Sequence, residues 1–115
     1  MQFNPIEFHE IKKDVKSWVE SIRPPENLRA LLDVAYRIEG RSIEIFMVQQ
    51  QWRGRVVKKK EIPRVKISHI HDKKEWRIYC MRVTQKWALY EKAKTLSNAL
   101  GIVHLDKHGC FFGSG

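Results

Sequence analysis

The chain has 115 residues, with 22 Lys plus Arg against 13 Asp plus Glu, for a formal net charge of +9. That length fits one domain, and 43% hydrophobic residues with four tryptophans can build its core, which excludes a disordered tail. No apolar run approaches the roughly 20 residues of a membrane span, the start at Met1-Gln2-Phe3 is unlike a signal peptide, and two cysteines exclude a disulfide framework, so a cytoplasmic protein without a membrane partner is expected.

Asn4-Pro5-Ile6-Glu7 reads as a helix start, with Asn4 as cap, Pro5 at the first helical position and Glu7 closing a capping box. Ile11, Val15, Trp18 and Ile22 follow at helical spacing, with Phe8 and Val19 beside them, until Pro24-Pro25 ends the helix. The pattern then changes to period two. Leu32, Val34, Tyr36 and Ile38 alternate with Asp33, Ala35, Arg37 and Glu39 on a first strand, Gly40-Arg41 reverses the chain, and Ile43, Ile45 and Met47 form a second strand. Residues 49–60 read as a long polar loop or a wide hairpin holding Trp52 and Gly54. Val65, Ile67 and His69 mark a third strand, Trp76, Ile78 and Cys80 a fourth, and Trp87 and Leu89 a fifth. A second helix is expected from about Lys92 to Leu100, stopped by Gly101 and followed by a Gly-rich tail with a short strand at Ile102-Val103. Short connections favour an antiparallel meander. The expected fold class is therefore α+β, one domain over 1–115. It has an N-terminal helix in 1–23, a five-stranded antiparallel sheet in 30–91, and a helix and tail in 92–115, the helices covering one face of the sheet.

The charge is regional. Residues 51–94 hold 14 Lys and Arg against four acids, Glu61, Asp72, Glu75 and Glu91, so this segment alone carries +10. Alternation sends Val65, Ile67, Trp76, Ile78, Trp87 and Leu89 to a core face and Arg64, Lys66, Arg77, Tyr79, Lys86 and Tyr90 to the opposite one. Cations that neutralise phosphates, interleaved with rings that stack on bases, suit nucleic acid. Arg53, Arg55, Lys58, Lys59 and Lys60 extend that surface along the loop. The plain alternative is an ordinary solvated sheet face, and no zinc-finger spacing, RNA-sheet motif or glycine clamp is present.

His69, His71, Cys80, His104, His108 and Cys110 are the candidate metal ligands, although their spacing matches no standard zinc site. The chain also lacks a phosphate-cradling glycine loop, so neither a cofactor nor an enzymatic activity is expected.

Pro24-Pro25, Tyr36-Arg37-Ile38-Glu39-Gly40, Ile45-Phe46, Trp52, Glu75-Trp76-Arg77-Ile78-Tyr79, Lys86-Trp87, Tyr90 and His108-Gly109-Cys110-Phe111-Phe112-Gly113 occur here in one order. Over roughly residues 24–113 this resembles the uncharacterised bacterial family known as domain of unknown function 3024. The resemblance implies a stand-alone cytosolic domain and draws attention to Asp106, His108 and Cys110. The family more often carries a histidine where this chain has Ala88. It implies no activity.

Three functional expectations follow. The first is non-enzymatic nucleic-acid binding by the basic and aromatic face. The second is a protein-interaction or homodimerisation module using Phe46, Val48 and Met81 on the outer face. The third is a His/Cys metal or thiol site near the C-terminus.

Overall fold

A computed structural model describes the chain over residues 2–112, apart from the side chains of Trp52, Arg53 and Val56. Helix α1 spans Pro5–Ile22 and opens on the expected capping box: the Glu7 amide donates to Asn4 Oδ1 at 2.8 Å, and the Asn4 amide donates to Glu7 Oε1 at 3.2 Å. A short 3-10 turn, Glu26–Leu28, leads into the sheet. Its strands are β1 (Leu32–Glu39), β2 (Ser42–Arg53), β3 (Val56–Ile70), β4 (Glu75–Met81) and β5 (Trp87–Ala93). They form an antiparallel meander in chain order, as the short connections require. Helix α2, Leu96–Leu105, follows.

Both helices cover the same face of the sheet. Ile11, Val15 and Val19 of α1 and Leu96, Ala99, Leu100 and Val103 of α2 share one core with Val34, Ile43, Ile45, Val65, Ile67, Trp76 and Ile78. The buried stripe of α1 runs through Val19, while Trp18 and Ile22 are half-buried and Phe8 is exposed.

Two expectations are corrected and a third is decided between its alternatives. First, residues 49–60 form the wide hairpin rather than the loop, with strand on either side of the Gly54-Arg55 turn. β2 and β3 remain paired from Ser42↔Ser68 out to Arg53↔Val56. β1 ends opposite Gln49 and β4 pairs only with Val65 to Ile70, so the outer part of this hairpin is a two-stranded arm. At about 3.3 Å per residue the 15 residues of β3 extend about 50 Å, which accounts for the 50 Å long axis of the molecule. Gly54 turns the tip with φ 62°, and the Gly40 turn between β1 and β2 repeats the device with φ 58°.

Second, β5 has its faces exchanged. The register slips between Ile78 and Tyr79, leaving Tyr90 as an extra residue. Ala88 therefore stands opposite Cys80 on the core side, while Leu89 stands opposite Tyr79 and is 48% exposed. One inserted residue reverses every side chain beyond it.

Third, the second helix begins after Thr95, whose Oγ1 accepts from the Asn98 amide at 3.1 Å, and it runs through Gly101. Ile102 and Val103 are helical. The stop is Asp106, in the left-handed region at φ 43°.

Candidate functional site

The open face of the sheet is assembled by cross-strand pairing. Lys66 stands between Glu44 and Tyr79, and Arg77 between Ser68 and Lys92. This face is not a field of free cations. Arg37 pairs with Glu61 and lies 3.6 Å from Glu44. Arg77 Nε donates to Glu75 Oε2 at 2.8 Å, and Lys92 Nζ stands 3.8 Å from the same oxygen. The Arg77 bond, outweighing desolvation, holds the Glu75 carboxyl below its ordinary range. Three carboxylates thus interleave with Arg37, Lys66, Arg77 and Lys92, and the basic excess of the segment lies toward the two ends of the sheet.

Its larger share is at the end of the sheet where the arm projects. Lys58, Lys59, Lys60 and Arg55 are exposed on the arm. The β4–β5 turn returns to its base and adds Arg82 and Lys86. That turn is closed by Gln85 N donating to Arg82 O at 2.8 Å and Arg82 N to Lys86 O at 2.9 Å, with Gln85 at φ 64°. Arg64 completes the group. It is the extra residue of β3 where the register passes from Ile45↔Val65 to Phe46↔Pro63. Among the described residues, none of these cations has a carboxylate within ion-pair distance; Glu61, the one acid in this stretch, is held by Arg37.

A notch of about 590 Å³ opens where β4 leaves β3, bounded by Lys60 to Arg64 on one side and Met81, Arg82, Val83 and Gln85 on the other. Cys110 reaches it from the C-terminal segment. Asp106 places that segment by accepting from the Phe111 amide at 3.1 Å and the Phe112 amide at 3.0 Å. At the opposite end of the sheet Lys73, Lys74, Lys92 and Lys94 gather around Glu75.

The residues expected to share one surface are therefore divided. Lys66, Arg77 and Tyr79 occupy the outer face. Arg55, Lys58, Lys59, Lys60, Arg64 and Lys86 belong to the arm and its base, and the Arg53 side chain lies outside the described residues. Tyr90 is on neither surface. Its ring packs 5.0 Å from Phe111, and its hydroxyl bonds His108 Nδ1 at 2.8 Å. Arg82, which alternation does not assign, joins the site through its turn.

The candidate metal ligands also separate. His69 and His71 sit 6.5 Å apart at one end of the sheet. Arg41 bonds His69 Nδ1, and Phe3 and Trp76 pack around it. Burial, reinforced by Arg41, holds the His69 pKa below its ordinary value. His108 bonds Tyr90, His104 is exposed in the last turn of α2, and Cys80 lies beside Cys110. Burial, with the neighbouring Cys80, raises the Cys110 thiol pKa, which favours the protonated form. Among the described residues no three His, Cys, Asp or Glu side chains converge as a metal-binding set. None of the described helices is long and apolar enough to cross a membrane.

Residues 3–113 match the family described as Domain of unknown function (DUF3024), and the chain belongs to that family. The match reaches into α1 and so extends further than the motifs of residues 24–113; Gly113 lies outside the described residues. No curated protein and no solved structure matches the chain.

Proposed function

For this member of the family we propose binding of duplex nucleic acid, the β2–β3 arm entering a groove while cations at its base hold phosphates. The observation that carries the reading is the separation of paired from unpaired cations. Carboxylates neutralise much of the outer face, whereas the arm and the β4–β5 turn present Arg55, Lys58, Lys59, Lys60, Arg64, Arg82 and Lys86 without ion-pair partners among the described residues. A free cation near phosphate releases counterions, but one already held by a carboxylate must first lose that partner. Shape supports the same reading. A two-stranded ribbon fits a major groove about 12 Å wide and about 8.5 Å deep. The free arm, four residue pairs from Gln50↔Lys59 to Arg53↔Val56, extends about 13 Å at roughly 3.3 Å per residue.

Stacking of single strands on the outer face has weaker support, because Tyr90 is turned inward and the cations there are largely matched. Self-association through Phe46 also loses its motive. Arg37 sits 4.4 Å over that ring, which is only 7% exposed.

The test is affinity for a short duplex and for its single strand, measured from roughly 50 to 200 mM salt. The duplex is expected to bind more tightly and with a steep salt dependence. Lys58→Gln with Lys59→Gln should flatten the slope of log K against log salt by about 2, since each phosphate that is no longer neutralised removes roughly 0.9. Absence of binding at low salt, or a slope untouched by the double variant, rejects the reading.

A further inference from the structure

We infer that the notch between the arm and the β4–β5 turn is a binding site for a phosphate monoester of mononucleotide size. The ester is either free in solution or the phosphorylated end of a strand; only the second source rests on the reading of the arm as a duplex binder.

Three elements build the notch. The β3 bulge adds Arg64 without a partner residue on β2, the β4–β5 turn presents Arg82, and the last rungs of the arm supply Lys60. Arg64 is half-buried, and its Nε is buried without a hydrogen-bond partner among the described residues. A guanidinium is a rigid fork of donors that matches phosphate oxygens, so a pair of them with a lysine suits a dianion. Glu61 also borders the notch, but Arg37 already engages its carboxylate. The lysine cluster at the other end of the sheet lacks this character, because it has no arginine lining and Glu75 stands in its midst.

The remaining wall indicates that phosphate alone is not the whole ligand. Pro63, Met81 and Val83 line the same space and give it an apolar side. A volume of about 590 Å³ falls in the range of small-molecule sites, roughly 300–1,000 Å³. Inorganic phosphate would occupy the cationic corner and leave the apolar wall in water. A phosphoryl group joined to a nucleoside fills both, its base or sugar lying against Met81 and Pro63.

The test is calorimetric titration of the full chain with adenosine 5′-monophosphate, adenosine and inorganic phosphate. The nucleotide is expected to bind about tenfold or more tightly than either fragment, the scale of one charge-assisted hydrogen bond. Arg82→Gln, in an exposed turn, and Arg64→Gln, in the bulge, should each weaken it by about fivefold or more, while Lys58→Gln with Lys59→Gln leaves it within about twofold. Equal affinity for nucleotide and nucleoside overturns the site. So does nucleotide binding unchanged in the Arg82 variant, which covers the case of an Arg64 variant that does not fold. Duplexes with and without 5′-phosphates separate the sources. Tighter binding of the phosphorylated duplex assigns strand ends, and equal binding, with the nucleotide still bound, assigns the free ester. Nucleotide binding without duplex binding keeps the notch and removes the arm reading; the converse removes the notch alone.

Discussion

Strands β2 and β3 pass through two environments, and the same antiparallel ladder serves both. In the body of the sheet Ile43, Ile45, Val65 and Ile67 have no exposed surface, because α1 and α2 lie over them. In the arm, beyond the Gln49↔Lys60 rung where β1 ends, the sequence on those strands becomes Gln50-Gln51 opposite Lys58-Lys59, with no third strand and no helix. Backbone pairing is therefore common to both, and apolar burial belongs to one. An isolated hairpin is marginal in water, so the arm depends on the body for its register, while the body owes the arm little. This asymmetry leaves the arm free to carry charge that a packed region could not tolerate.

The strongest way to break this contrast is a pair of truncations. Ile67→Ala should cost about 2–5 kcal/mol in denaturant unfolding, because it empties a closed core. Val57→Ala, on the arm and 40% exposed, should stay within about 0.5 kcal/mol. Similar losses at both positions would mean that the arm is packed after all. Next in size is Asp106→Ala, expected to lower stability by about 1–3 kcal/mol through two amides left without their acceptor and a side chain poorly suited to φ 43°. Asp106→Asn should lose less, since asparagine tolerates that conformation and keeps one acceptor; thermal melts of the two variants compare them.

The smallest effect concerns pH. His69 is held below its ordinary pKa of about 6.5, so the unfolded chain takes up its proton first as pH falls. Its contribution to stability is complete above about pH 6.5 and is lost as pH falls through the lower folded-state value. Denaturant midpoints measured across this interval should decline with acidification, and the decline should be shallower in His69→Leu. An unchanged profile would show that burial beside Arg41 does not distinguish the two protonation states.

Sequence periodicity reads the covered half better than the open half, for physical reasons. Val65, Ile67, Trp76 and Ile78 alternate because helices lie over every second residue, and all four are buried. The Gln and Lys runs of the arm face solvent on both sides, so no period distinguishes strand from loop there. Their pairing becomes visible only from the ladder that begins in the body and the glycine at the tip. Alternation misassigns β5 because a bulge leaves no signature in it: Trp87, Leu89 and the inward Tyr90 look regular until one residue is set outside the ladder. Gly101 has the look of a helix end, yet a Cβ placed there meets nothing within 4 Å, so the position neither requires nor rewards glycine. The signal for the true start is Thr95, three residues before Asn98. At the site, the local charge excess is legible from composition, but its neutralisation on the outer face is not. Arg37 and Glu44 are first-hairpin residues that reach Glu61 and Lys66 only through the sheet.

The closed rungs of the arm have a geometric consequence. Since β2 and β3 run in register from Phe46↔Pro63 to the tip, deleting a matched pair such as Gln51 and Lys58 removes one rung and leaves every rung nearer the helices in place. The projection is then a ruler graduated in steps of about 3.3 Å. Each missing rung also turns the tip residues to the opposite side of the ribbon. Reach and tip orientation can vary together across such molecules without altering the packing beneath the helices.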